Sequence, residues 1–472
     1  MGTSEPPPLL LTPIDNIAAR DYVPYLLFFP RPANLEVSTV VTSFRDGLFK
    51  TIQAIGPLSG TVQLTGQRGG LCVTRPWRTV DEIFRVKDLR HTGGLEYSQL
   101  RDQNFPIGTL NKELLPWADL IKTEKMVMLI QLNIIHGGFI MCLSLHHSFA
   151  DATGFAVVVK LWAASCRGQD CSQLVTRGMI ERERLMQGWG DTTFDGFPGM
   201  ELLPTEKLAP SPKYYNRIYN FFWRLWTDFS RRWIATTDNG TPKIDNTLFL
   251  ESKSAVFFFS KSKLAELKSI ASPSDHLQGS EAWISNNDAI CAFIACSLSS
   301  TSLWMVVGGR RVLDPPLPPD YIGNIASFIE VKIGTADTEP TLANVAKVAS
   351  QIRYGVRQRD ERYLRKLIAA LSSLKDIARV VCTPILPSEN ILFTSFAHLD
   401  FYDEYWGDGI GARVERLRLG FGCDNFCVIL PELRSSAFSD EDCGLEISIG
   451  LEEEKMAQLK QSEFFLRFAQ PV

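Results

Sequence analysis

An α/β protein of two lobes is predicted by three features of the sequence: its length, the character of its apolar runs, and a loop-rich break near its middle. The chain has 472 residues, more than one hydrophobic core normally holds, because single cores stop growing near ~250–300 residues. Runs such as "EKMVMLIQLNII", "FIMCLSL", "SAVFFFS", "ASFIEVKIG" and "FCVILPEL" are short, rich in Val, Ile and Phe, and bounded by Gly, Pro or charge, as sheet strands are. Helical patterns lie between them, without the regular alternation of a doubly wound parallel sheet.

Along the chain, "GFIMCLSL" (138–145) reads as a central strand and "ATGFAVVVKLWAA" (152–164) as the helix after it. Further on, "SKLAELKSIA" is an amphipathic helix, "NNDAICAFIACSLSS" opens with a helix-cap signature, and "TLANVAKVASQIRYGVRQRDERYLRKLIAAL" gives a long helical stretch. The least regular span, roughly 168–250, contains "GWGDTTFDGFPGMELLPTEKLAPSPK" and "ATTDNGTPKIDN", clusters of turn residues that read as a linker. Within it, "YYNRIYNFFWRLWTDFSRRW" (214–233) puts aromatic residues on one helical face and Arg217, Arg224 and Arg231 on another, as in a helix packed on a domain or, as a second reading, a lid over a hydrophobic substrate. The organisation predicted is an N-terminal lobe (1–185), a crossover linker (186–245) and a C-terminal lobe (246–472).

Composition narrows the partner. Acidic residues outnumber basic ones by 53 to 49, the net charge is -4, and no long basic block points to nucleic acid or a membrane surface. A small molecule is the expected partner. Ten cysteines, several inside apolar runs such as "AICAFIACSL", read as buried free thiols of a reducing, cytoplasmic compartment. No run approaches the ~18 uninterrupted apolar residues of a membrane span, and "MGTSEPPPLLL" lacks the positive n-region of a signal peptide.

Chemistry concentrates in "LSLHHSFADATGF" (143–155), where His146, His147 and Asp151 occupy the turn between strand and helix. Adjacent histidines at a strand end point to opposite faces, which argues against two ligands of one metal, and the chain has no HExxH or paired CxxC pattern. The other histidines, 91, 136, 276 and 398, fall in no ligand spacing. Neither a GxSxG elbow nor a P-loop is present. A general base fits better, since a neutral imidazole takes a proton at neutral pH from a hydroxyl or amine bound in a cleft.

The motif resembles the HHxxxDG signature of BAHD acyltransferases, condensation domains and the chloramphenicol acetyltransferase-like fold. "LTPIDNIAARDYVPYLLFFPRP", "GPLSGTV", "ISNNDAICAFI" and "GGRRVLDPPLPPDYIGN" are similar, in the same order, to segments of the fungal BAHD branch that includes trichothecene 3-O-acetyltransferases. The resemblance implies two similar α/β lobes, each a mixed sheet with helices, joined by a long crossover and enclosing an active-site channel. It implies an acyl-CoA cosubstrate, a bulky hydrophobic acceptor, no tightly bound cofactor or metal, and a monomer. His147 becomes the base and Asp151 a structural partner of Arg310, with His146 and Asn324 in support. Thr394 is the remaining oxyanion donor of the family's T-S-W motif, because Phe396 replaces its tryptophan. Ser260, Lys261 and Lys268 match the region that reaches CoA phosphates in relatives. Other departures are Ala152 in place of the motif's glycine, and Gly308-Gly309-Arg310-Arg311-Val312, which loses the aspartate and second arginine of D-x-R-x-R. The alternatives are a carrier-protein acyl donor, a proton transfer by His147 in a cyclisation, elimination or isomerisation, and a binding protein on a retired fold.

Overall fold

The structure is a computed structural model. It describes residues 7–66, 68–92, 94–110, 112–116, 125–190, 192–194, 196–202, 235–236, 242–243, 254–272, 283–382, 390–420, 422–434 and 443–472. The aromatic segment 214–233 therefore lies outside the described residues, and with it both readings of that helix.

The main strands, in chain order, are β1 (Tyr22–Pro30), β2 (Phe84–Asp88), β3 (Met128–Ile135), β4 (Gly138–His146), β5 (Ser254–Ser260) and β6 (Ser302–Gly308). They continue with β7 (Ala326–Lys332), β8 (Asn390–Ser395), β9 (Arg416–Leu419), β10 (Phe426–Ile429), β11 (Gly444–Gly450) and β12 (Gln470–Pro471). One mixed sheet runs β9-β1-β4-β3-β2 and the other β7-β6-β8-β10-β11-β5-β12. Every residue of β3 and β4 is buried, which is why these strands read as near-continuous apolar runs rather than alternating ones.

The main helices are α1 (Val37–Ala54), α2 (Ala152–Cys166), α3 (Lys261–Ala271), α4 (Asn286–Ser297), α5 (Leu342–Arg357) and α6 (Glu361–Ser373). Helices α1 and α2 pack on the first sheet, where the Trp162 indole N–H donates to the Phe44 carbonyl at 2.9 Å. Helix α4 starts where Ser285 and Asp288 form a reciprocal capping box. Its two turns of Ala, Ile, Cys and Phe are buried throughout, as expected of a helix that is apolar on all sides.

A division at residues 185 and 245 misses one crossing. Strand β9 belongs by sequence to the C-terminal part, yet it pairs antiparallel with β1 in the first sheet, Leu417 opposite Leu27. The preceding stretch goes with it: Leu399, Phe401, Tyr402, Trp406, Ile410 and Val414 join the first lobe's core. Trp406 is fully buried and meets Phe29, Phe44 and Trp162 with ring centroids 5.2, 5.5 and 5.3 Å away. Gly407 follows at φ +84°, and a Cβ there would lie 2.7 Å from the Cys166 carbonyl oxygen, so this turn accepts glycine alone.

Crossing the chain back sews the lobes together. Arg418 of β9 makes a bidentate pair with Glu446 of β11, Nη1 to Oε2 at 2.7 Å and Nη2 to Oε1 at 3.0 Å. Its remaining N–H groups donate to the Phe105, Asn104 and Leu417 carbonyls at 2.9, 2.7 and 3.0 Å. Burial raises the Glu446 pKa, but the charges and hydrogen bonds of Arg418 and Arg416 outweigh it and hold the carboxyl below its ordinary value.

Candidate active site

Strand β4 ends at His146, and Asp151 caps the helix that follows by accepting from the Gly154 amide at 3.0 Å. The four residues between form a tight turn held at both ends. The His147 amide donates to the Asp21 carbonyl at 2.8 Å, and the Asn324 side-chain amide donates to the His147 carbonyl at 2.8 Å. With its backbone fixed from both lobes, the imidazole of His147 faces a cavity of about 1510 Å³ lined by both. Its Nδ1 is buried without a hydrogen bond among the described residues, which leaves Nε2 as the ring nitrogen for a ligand.

Asp151 does not touch His147. Both of its oxygens are taken by Arg310, Nη1 at 2.8 Å and Nη2 at 2.7 Å, and the same guanidinium donates to the Tyr321 and Gly323 carbonyls at 3.0 Å each. Burial alone would raise the Asp151 pKa; the charge and bonds of Arg310, with the Gly154 and Ile325 amides, overcome this and lower it. Helix α2 and the segment 321–323 approach closely here, since a Cβ on Gly154 would stand 3.2 Å from the Ile322 Cα. Ala152, where the motif has glycine, is the first helical residue and does not have positive φ, so its methyl is accommodated without strain.

His146 points the other way. It is 1% exposed, edge-on to Tyr22 at 5.7 Å, and burial, followed by the charge of Lys125, drives its pKa well below the ordinary value. It is a neutral wall behind the turn. Asn324 also donates through its backbone and side chain to one oxygen of Asp15, at 2.8 and 3.0 Å. Thr394, at the end of β8, lines the cavity beside Phe396, whose ring brings no N–H. Ser260 caps α3 by accepting from the Lys263 amide at 3.3 Å, while Lys261 and Lys268 are exposed. None of these three is on the cavity wall. The structure thus brings His147, Asp151, Arg310, Asn324 and Thr394 to one cavity, sets His146 behind it, and leaves the three proposed CoA contacts apart.

Four further residues belong to the site. Asp15 is fully buried and paired with Arg182 at 3.1 Å, and Arg182 also donates to the Phe149 carbonyl at 3.0 Å. Arg182 lies at the end of the predicted N-terminal lobe, in the irregular span that begins near residue 168, and nothing in its sequence context marks it. Asp21 and His398 both line the cavity. Burial and the neighbouring Arg311 and Arg310 push the His398 pKa down, and this second imidazole faces the same space. Among the described residues no three His, Cys, Asp or Glu side chains gather as metal ligands, all ten cysteines are free, and no helix is long and apolar enough to cross a membrane.

A two-lobed mixed α/β fold with a histidine on the wall of an inter-lobe cavity and an aspartate turned away into an arginine defines an acyltransferase of the chloramphenicol acetyltransferase-like class. Residues 22–166 match the trichothecene 3-O-acetyltransferase-like N-terminal domain, and residues 235–466 match the Transferase family. The two matches together span most of the chain, and it belongs to this BAHD-type transferase family.

Among curated relatives, the eremophilane O-acetyltransferase of Penicillium rubens is 24% identical, covering 97% of each chain. The trichothecene 3-O-acetyltransferase of Fusarium sporotrichioides is 23% identical over 95% of this chain and 93% of the relative. The solved structure of the latter enzyme with coenzyme A and T-2 superposes with a TM-score of 0.73 at 21% identity, over 99% of this chain and 100% of the other. Vinorine synthase gives 0.57 at 18% identity, over 99% and 95%. These likenesses establish the fold.

Proposed function

We propose that the chain transfers an acetyl group from acetyl-CoA to a hydroxyl of a bulky hydrophobic secondary metabolite, with His147 as general base. The observation that supports this most directly is the imidazole of His147, backbone-clamped between Asp21 and Asn324 and open to a cavity larger than the ~300–1,000 Å³ of an ordinary ligand pocket. Such a space has room for two substrates. The cavity wall includes the apolar Ile14, Ile17, Val23, Ala156 and Val157, which suits a carbon skeleton better than a sugar or peptide. The names of the relatives, O-acetyltransferases of eremophilane and trichothecene compounds, point to the same acceptor class.

In this reading His147 Nε2 takes the acceptor's hydroxyl proton as its oxygen attacks the thioester carbonyl. A C–O bond forms and the carbonyl becomes a tetrahedral oxyanion, which the Thr394 hydroxyl can meet. When the oxyanion collapses, the C–S bond breaks, and the proton on His147 passes to the departing CoA sulfur. Arg310 and Asp151 keep the turn in place and exchange no proton.

Titration calorimetry of the purified protein with acetyl-CoA, alongside His147→Ala, tests the reading. Saturable binding to both, with slow thioester hydrolysis by the wild type alone, is the expected result. Binding to neither would overturn the CoA donor.

A further inference from the structure

The carboxyl of Asp21 has no part in the reaction just described. It lies one step beyond the Tyr22–His146 pair in the register of β1 and β4, directly opposite His147. Opposed residues of an antiparallel pair send their side chains to the same face, with Cβ atoms roughly 4.5–5.5 Å apart, and both of these line the same cavity. Oδ1 of Asp21 accepts from the Tyr22 amide at 2.8 Å. Oδ2 has no hydrogen-bond partner among the described residues, and the ammonium of Lys125, whose charge acts on Asp21, is given to the Arg20 carbonyl at 2.6 Å. Burial raises the carboxyl's pKa despite Lys125 and the Tyr22 amide. Asp21 is half-buried on the cavity wall, and Oδ2 is not among the side-chain oxygens buried without a partner, so it stays open to solvent. A hydroxyl of a molecule bound in the cavity that Asp21 and His147 both line can take that open position.

We propose that Asp21 is a specificity residue that accepts a hydrogen bond from a second hydroxyl of the acceptor, so that the preferred substrates are diols with the two hydroxyls on adjacent or next-but-one carbons. One hydroxyl meets His147 and is acylated; its neighbour meets Asp21 and is not. Side chains opposed across the backbone bond from the His147 amide to the Asp21 carbonyl, just past the ends of β4 and β1, are spaced much like two oxygens on one small ring. This inference rests on the acetyl-transfer reading above.

The test uses the full chain, acetyl-CoA, and two sesquiterpenoid probes that differ by one hydroxyl, a diol and its mono-alcohol, with wild type and Asp21→Asn compared. Asparagine retains the acceptor for the Tyr22 amide and turns the open oxygen into an NH2 group. Wild type is expected to favour the diol, and in D21N the ratio of the two kcat/KM values falls about ten- to hundredfold, chiefly through KM for the diol. Both rates come from one preparation, so a partly unfolded sample leaves the ratio intact; Asp21→Ala gives the same reading if D21N does not fold. Equal use of both probes by the wild type, or a ratio changed less than twofold by the substitution, overturns the Asp21 proposal alone. Acetyl-CoA binding with acetylation of neither probe overturns the acceptor class and the proposal with it.

Discussion

Among the described residues two bidentate arginine–carboxylate pairs join the lobes, and they differ in what lies beside them. Arg418 and Glu446 have side chains 0% and 3% exposed and meet only protein. Arg310 and Asp151 are 11% and 14% exposed, and both residues line the cavity. In each the arginine also donates to backbone carbonyls, which helps attraction offset desolvation, though Nε of Arg310 is buried without a partner among the described residues. What separates them is the loop they hold. The first pair fixes a strand against a sheet; the second fixes the turn that carries His147. The same bond is a fastening in one place and a means of positioning in the other.

The largest effect expected on this comparison comes from the side chain between the two fastenings of the turn. His147→Ala should reduce acetyl transfer about 10²- to 10⁴-fold with the melting temperature nearly unchanged; a large fall in melting temperature would mean that the imidazole itself holds the turn.

Asp151→Ala and Glu446→Ala should each cost about 3–5 kcal/mol, because each strands a buried guanidinium, and calorimetric melting measures both losses. The pairs diverge in steady-state kinetics. D151A lowers kcat of the folded enzyme, whereas E446A affects the amount of folded enzyme alone; equal kcat in both variants would remove the distinction drawn here.

Asn324→Ala should have a smaller effect, about 1–3 kcal/mol for the orphaned Asp15 and His147 oxygens, seen as a roughly tenfold lower kcat with a modest change in KM. The smallest effect is in the pH dependence. Both carboxyls have lowered pKa values in the folded protein. Their contribution to stability is therefore complete above the ordinary carboxyl range near ~4 and is lost as pH falls through the lower folded values. Melting temperatures between pH 6 and 2 should drop on the acid side, less steeply in Asp151→Asn and Glu446→Gln.

The strand, turn and helix around His147 were legible because their pattern is local: an apolar run, a capping aspartate and a helical period follow one another. Arg310 and Asn324 were legible through an ordered set of family motifs. Asp15, Arg182 and Asp21 were not, since each becomes a site residue through pairings that span lobes or strands. Asp21 faces His147 by register, and the register of two strands more than a hundred residues apart leaves no mark in either. Glu446 inside "GLEISIG" does signal a buried charge, but nothing indicates that its partner sits on a strand belonging to the other sheet. Ser260, Lys261 and Lys268 rested on resemblance alone, and the cavity wall does not include them.

The return of β9 to the first sheet also bears on how the protein is made. Until Arg416–Leu419 emerges from the ribosome, Tyr22–Pro30 is a long apolar strand with a bare edge, and the aromatic core beneath it lacks Trp406. Such an edge is open to pairing with other chains, and synthesis at about 5–20 residues per second keeps it waiting for tens of seconds. The first lobe is thus a nascent intermediate for which holding chaperones are suited, and a fragment ending in the crossover should aggregate rather than fold.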